Sequence, residues 1–266
     1  MAKIIPYCYV ELPLDLKANE LPDLQNIIQG VVKKLKPLFD TAQIDTQVFH
    51  GHQQNGRNDR RPPRILYQVS SHGRRFPGKK AALLGLGEGA MALKLLFEHF
   101  PQAVLWNGES GRFMPTQSPT VTQEVFDTGE GLKEYALIEW LALSDQERED
   151  GPGNYQRYLD AGTMAERLLL MEDHLKRHLQ RVLRHFSIET ERPLRLAITE
   201  ITKVTHNEIV VYGHTWYSFN LTFATNLVLP NGIAVGNAIS RGFGKIMPLP
   251  TSPKRAQRLE RLNRAL

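Results

Sequence analysis

The apolar residues of the first hundred positions change their period twice, and this limits the folds open to the chain. Lys3 to Leu12 alternates, with β-branched and aromatic residues, and predicts a strand. Leu24, Ile27, Ile28, Val31, Val32 and Leu35 then recur at helical spacing and predict a helix over Leu21 to Phe39. Ile65 to Val69 and Ala81 to Leu86 are two short strands flanking a turn region at Ser70–Gly78. Gly89 to Phe100 is a helix and Ala103 to Trp106 a fourth strand. The order is βαββαβ, a split βαβ unit.

At 266 residues the chain exceeds one ordinary core, so a second domain is expected. The segment Asn107 to Thr120, rich in Gly, Ser, Thr and Pro, marks the boundary, giving domains over 1–107 and 120–266. In the second half Glu134 to Leu143 reads as a strand, and Pro152 to Phe186 as a long helix that Gly162 breaks or bends near its start. Pro193 to Thr205 and Ile209 to Leu229 read as two long strands joined at His206-Asn207, and Phe243 to Leu249 as a last short one. With a helical turn inside Val235–Ser240 this half repeats the first order. The fold class is therefore α+β, two tandem βαββαβ domains.

A hydrophobic content of 41% with 23% charged residues describes a soluble globular chain. The apolar run Ile4–Val10 is interrupted by Pro6 and stopped by Glu11, too short for a signal peptide or a spanning helix, so no membrane is expected. Cys8 is the only cysteine, which excludes an intramolecular disulfide and a thiolate metal cluster and suits a reducing cytoplasm.

Positive charge is clustered more than it is abundant. Arg57, Arg60, Arg61, Arg64, Arg74, Arg75, Lys79 and Lys80 crowd one segment opposed only by Asp59. Arg241, Lys245, Lys254, Arg255, Arg258, Arg261 and Arg264 close the chain with Glu260 as the only acid. Such clusters either attract phosphates or are solvated surface.

Two faces carry ring side chains. On the late helix His174, His178, Arg181 and His185 form a stripe beside the apolar Leu168, Leu175, Leu179, Val182 and Phe186. With no acid joining it, the stripe reads as a basic solvated face and no metal is expected. Residues 209–223 alternate, with Tyr212, His214, Trp216, Ser218 and Asn220 on the more polar side. That side suits base stacking, or a sheet face covered by a helix with polar partners.

Three segments can carry chemistry. The run Asn231 to Ile246 interleaves four glycines with Ser240, Arg241 and Lys245, a backbone able to turn amides toward a phosphate beside cations. In Phe49-His50-Gly51-His52, only Asp45 and Asp59 are close enough in sequence to complete a metal set. As acid and base the two imidazoles need no metal: one takes the proton of a ribose 2′-hydroxyl and a second cationic group protonates the departing 5′-oxygen. The plainer alternative makes one a helix cap and the other a surface residue. Leu84-Gly85-Leu86-Gly87-Glu88-Gly89-Ala90 fits a dinucleotide fingerprint, but strands and helices do not alternate after it and Glu88 would face the pyrophosphate. A tight strand-to-helix turn accounts for the glycines, so no cofactor is expected.

Taken in order, His50-Gly51-His52, Arg60-Arg61-Pro62-Pro63-Arg64-Ile65-Leu66-Tyr67, the Gly85–Ala90 turn and Gly236-Asn237-Ala238-Ile239-Ser240-Arg241-Gly242-Phe243-Gly244-Lys245-Ile246 make the chain resemble CRISPR-associated endoribonucleases that cut precursor CRISPR RNA at its repeats, most closely the subgroup with paired N-terminal histidines. The resemblance implies two ferredoxin-like domains and metal-independent cleavage leaving a 2′,3′-cyclic phosphate and a 5′-hydroxyl. It also implies His52 as general base with His50 as partner or acid, Arg60 and Arg61 on phosphates, and RNA contact through Gly236, Ser240, Arg241 and Lys245. CRISPR repeat RNA is the implied partner; effector subunits and a homodimer are left open. Relatives tend to place a tyrosine before the proline that opens the following strand. Here Arg60 and Pro62 stand there and the nearest tyrosine is Tyr67. A non-catalytic RNA-binding subunit of a CRISPR effector complex is the alternative reading.

Overall fold

The structure, a computed structural model, describes residues 2–16, 20–49, 64–70, 80–101, 104–106, 109–110, 113–115, 117–146, 152–190, 192–211, 213–239 and 242–266. It divides into two compact units: an N-terminal one of Ile4–Glu124 with Ile239–Gly242, and a C-terminal one of Met1–Lys3, Val125–Ala238 and Phe243–Leu266. Among the described residues no helix is long and apolar enough to cross a membrane.

The N-terminal unit runs β1 (Lys3–Asp15), α1 (Leu21–Lys34), α2 (Lys36–Thr41), a 3-10 turn (Thr46–Phe49), β2 (Ile65–Ser70), β3 (Lys80–Leu86) and α3 (Glu88–Glu98). One helix was expected over Leu21–Phe39. It breaks at Leu35 because Pro37, in the first turn of α2, offers no amide to continue the ladder. β3 lies between its antiparallel neighbours, with Leu84 opposite both Tyr9 and Leu66. Leu12, Leu24, Ile28, Phe39, Leu83 and Leu93 pack as one core under α1 and α3. The sheet order is β2-β3-β1 and then β6 (Val121–Ser144), whose residues 121–124 belong to this unit. The expected fourth strand at Ala103–Trp106 is thus corrected: among the described residues β4 (Leu105–Trp106) pairs with β5 (Glu109–Ser110) alone, in a separate ribbon.

The C-terminal unit continues β6 with α4 (Asn154–Asp160), α5 (Met164–His185), β7 (Leu196–Val211), β8 (His214–Val228), β9 (Lys245–Pro248) and α6 (Pro253–Ala265). Its sheet order, β7-β8-β6-β9, repeats the order of the N-terminal unit with the glycine-rich run in place of a second crossover helix. The architecture is α+β with two ferredoxin-like units.

Local chemistry sets the element ends. The helical path ends at Asp160, where Ala161 turns extended, and Thr163 restarts it as α5 through a capping box with Glu166. The strand junction expected at His206-Asn207 lies instead after Val211: Val211 pairs with His214, and Gly213 supplies the left-handed φ of +80° that the two-residue turn needs. α6 was not foreseen; Ser252 caps it by accepting the Arg255 amide, and Pro253 opens it.

Candidate nucleic-acid interface

The glycine-rich run is built onto an irregular stretch of β6. Between Leu137 and Leu143 the β6–β8 register shifts twice, and Glu139 adopts φ +49° while its amide donates to the Asn220 side chain at 2.7 Å. The interrupted ladder leaves β6 carbonyls for the run to use. Gly244 donates its amide to Glu139 O at 3.1 Å, and Asn237 donates both backbone and side-chain N–H to Leu141 O at 3.2 and 3.0 Å.

Three glycines are set by positive φ, and two of them, Gly236 and Gly244, also by close contact. A Cβ on Gly236 (φ +107°) would lie 2.8 Å from the Trp140 indole, and one on Gly244 (φ +72°) 1.8 Å from Val235 O. One on Gly242 (φ +89°) would lie 2.5 Å from Leu21 Cδ1; Gly242 and Leu21 both belong to the N-terminal unit. The amides of Gly232, Ile233, Val235, Asn237, Gly242, Gly244 and Ile246 all donate to protein carbonyls. An array of amides turned outward along the run is therefore corrected to a braced turn whose amides largely hold the fold together.

Behind the run, the fully buried Trp140 donates its indole N–H to His178 Nδ1 at 3.1 Å, the rings edge to face. Burial first, then the nearby Arg181, His174 and Arg177, depress the His178 pKa to about 3, so the ring is a neutral acceptor. His174 and His178 are 7% and 8% exposed. The expected solvated stripe is thus corrected for these two, because α5 turns them inward beside Leu175 and Leu179. Sequence gave a sign of it, since both histidines directly precede leucines of the apolar stripe.

Of the expected site residues, Gly236 and Lys245 are described: Gly236 in the turn against Trp140, and Lys245 opening β9, half-buried and opposite Ile138. His50, His52, Arg60, Arg61, Ser240 and Arg241 lie outside the described residues, as do Arg57, Arg74, Arg75 and Lys79. The chain on either side of 50–63 is anchored. Phe49 is buried edge-on against Phe39 at 5.6 Å and its carbonyl accepts from Gln29 Nε2 at 3.2 Å. Arg64 pairs with Glu88 at 2.9 Å while its carbonyl accepts the Leu86 amide. Tyr67 is no catalytic helper: it has no exposed surface, its hydroxyl lacks a partner among the described residues, and burial pushes its pKa far up.

The Gly85–Ala90 segment is a close-packed turn. Cβ atoms on Gly85 and Gly89 would each meet a backbone oxygen at 2.3 Å, and Gly87 takes φ +60° while donating to Pro6 O. Charge in the second basic cluster is partly spent as well. Glu134, its side chain 1% exposed, takes Arg255 at 2.8 Å and Arg258, and accepts the Thr199 hydroxyl at 2.8 Å. Sequence distance hid Glu134 from that cluster.

Residues 127–249 match the family described as the Cas6b C-terminal domain. Two solved structures share the fold. One titled as a crystal structure of Cas6b is 16% identical with a TM-score of 0.68, and one titled CRISPR RNA processing endoribonuclease Cas6b is 15% identical with 0.59. Each match spans 93% of this chain and 100% of the other. No curated protein matches the chain in sequence. Over residues 127–249, which carry the braced glycine-rich turn, the chain is similar to the Cas6b C-terminal domain, and it shares the fold of the two Cas6b structures.

Proposed function

We propose that the protein is a metal-independent endoribonuclease that cuts precursor CRISPR RNA within its repeats. The observation that carries this is the Cas6b C-terminal domain over 127–249, within which the glycine-rich run is braced against β6 and Trp140. One structural neighbour is itself titled a CRISPR RNA processing endoribonuclease.

In the proposed reaction His52 removes the proton from a ribose 2′-hydroxyl as that oxygen attacks the adjacent phosphorus. The O2′–P bond forms and the P–O5′ bond breaks. His50 acts as partner to His52 or delivers a proton to the leaving 5′-oxygen, giving 2′,3′-cyclic phosphate and 5′-hydroxyl ends. Arg60, Arg61, Ser240, Arg241 and Lys245 hold phosphates and oppose the charge of the phosphorane. For Lys245 the braced turn makes placement cheap in entropy, because the backbone beside it is already held by the Gly244 and Ile246 amides.

The test is cleavage of a CRISPR repeat RNA in excess EDTA, with and without a 2′-deoxy substitution at the scissile nucleotide. Cutting persists in EDTA and stops with the deoxy substrate. Loss of cutting in EDTA, or cutting of the deoxy substrate, defeats the mechanism; an intact repeat bound without cleavage points to the non-catalytic subunit.

A further inference from the structure

α6 carries five cations, Lys254, Arg255, Arg258, Arg261 and Arg264, yet none of its residues is fully buried. Arg255 and Arg258 tie it to β6 by sharing the buried Glu134, while Arg264 pairs with Glu260 within the helix. Lys254 and Arg261 make no ion pair among the described residues. Five cations against two carboxylates leave the helix strongly positive.

The surplus is directional. Lys254, Arg258 and Arg261 stand at i, i+4 and i+7, hence on one face, spanning about 10 Å of helix axis. With Ile198 and Thr199 of β7 they line a groove of about 610 Å³ that has no acidic residue in its wall. Lys254 and Arg261 are exposed and Arg258 is half-engaged by Glu134, so the groove offers cations to a ligand without first breaking a bridge of its own.

We propose that this groove binds the sugar–phosphate backbone of an RNA strand, a contact additional to the glycine-rich run. Spaced cations along one helix face suit successive phosphates, and Ile198 and Leu262 offer an apolar surface to the sugars. An acidic protein fits less well, because the cations are strung along one helix face and the apolar surface is confined to Ile198 and Leu262, without the broad apolar centre of a stable protein interface. The assignment of RNA as the polyanion rests on the nuclease reading.

The experiment is a salt titration of repeat-RNA binding by fluorescence anisotropy, in EDTA, on the full chain. Lys254→Ala with Arg261→Ala removes two phosphate contacts. For a single strand this lowers the slope of log K against log salt by about 1.4 and weakens binding roughly tenfold at 0.15 M salt. Lys33→Ala with Lys34→Ala, in the last turn of α1, removes the same charge elsewhere and leaves slope and affinity unchanged. Equal slopes for both double variants and the wild type overturn the groove; equal losses in both show only net charge and also overturn it. A wild type that cuts the repeat while the groove variant binds normally refutes this inference alone. A wild type that neither binds nor cuts refutes the nuclease reading itself.

Discussion

Replacing Gly244 by alanine probes whether the glycine-rich run is a fixed part of the C-terminal unit. The new Cβ would stand 1.8 Å from Val235 O and 2.9 Å from Val235 C, where a carbon and an oxygen normally touch at about 3.3 Å. The obstacle is backbone, so no rotamer relieves it. The Val235 amide, which donates to Gly244 O at 2.9 Å, must move away, at a cost of about 1 kcal/mol for the lost hydrogen bond. Holding alanine at φ +72° adds about 1–3 kcal/mol. Forcing close-packed atoms apart adds a similar ~1–3 kcal/mol. A total loss of roughly 3–7 kcal/mol lowers the thermal midpoint by about 10–20 °C for a unit of this size. Calorimetry and urea denaturation measure it, with Gly131→Ala as the control. A Cβ on Gly131 meets nothing within 4 Å, so that variant stays within about 0.5 kcal/mol of the parent. If Gly244→Ala melts within about 2 °C of the parent, the brace is not a feature of the folded protein.

His178 is neutral when folded, with a pKa near 3 against an ordinary 6.5. Below pH 6.5 the unfolded chain therefore takes up a proton that the folded one refuses. The contribution is complete above pH 6.5 and is lost as pH falls toward 3, at ~1.4 kcal/mol per pH unit; urea titrations from pH 7 to 5 show a shallower loss for His178→Gln. Trp140→Phe strands His178 Nδ1 in the core and costs about 1–3 kcal/mol, seen as a lower urea midpoint at pH 7. Glu134→Gln leaves Arg255 and Arg258 without their counter-charge and destabilises by about 1–2 kcal/mol, with faster hydrogen exchange confined to α6. Cys8 is fully buried and its pKa is pushed up to about 11, first by burial, so it stays unmodified by iodoacetamide at pH 7.5 until the chain is unfolded.

Much of the architecture was legible because its signals are local. Periodicity carried β1 and α3, and Gly162 signalled the break before α5. What escaped depended on partners distant in sequence. The start of β6, polar and with Gly129 and Gly131 inside it, shows no apolar alternation and becomes strand through pairing such as Asp127 with Val228. The β7–β8 turn was misplaced because alternation runs on through Thr205–Ile209, and only Gly213 marks the reversal. His178 reads as one of a basic stripe until Trp140, thirty-eight positions earlier, is seen to face it. For the site, sequence picked out the glycine-rich run, but not that Trp140, Leu141 and Val235 dictate its glycines.

The segment Ile239–Gly242 belongs to the N-terminal unit although it follows Glu124 by more than a hundred residues. During synthesis that unit must therefore wait, with Leu21 and Tyr67 uncovered where Gly242 will sit. At ~5–20 residues per second the interval is roughly ten seconds. A nascent chain stalled in the hairpin of β7 and β8 would carry an unfinished first unit, a target for chaperones until the glycine-rich turn leaves the ribosome.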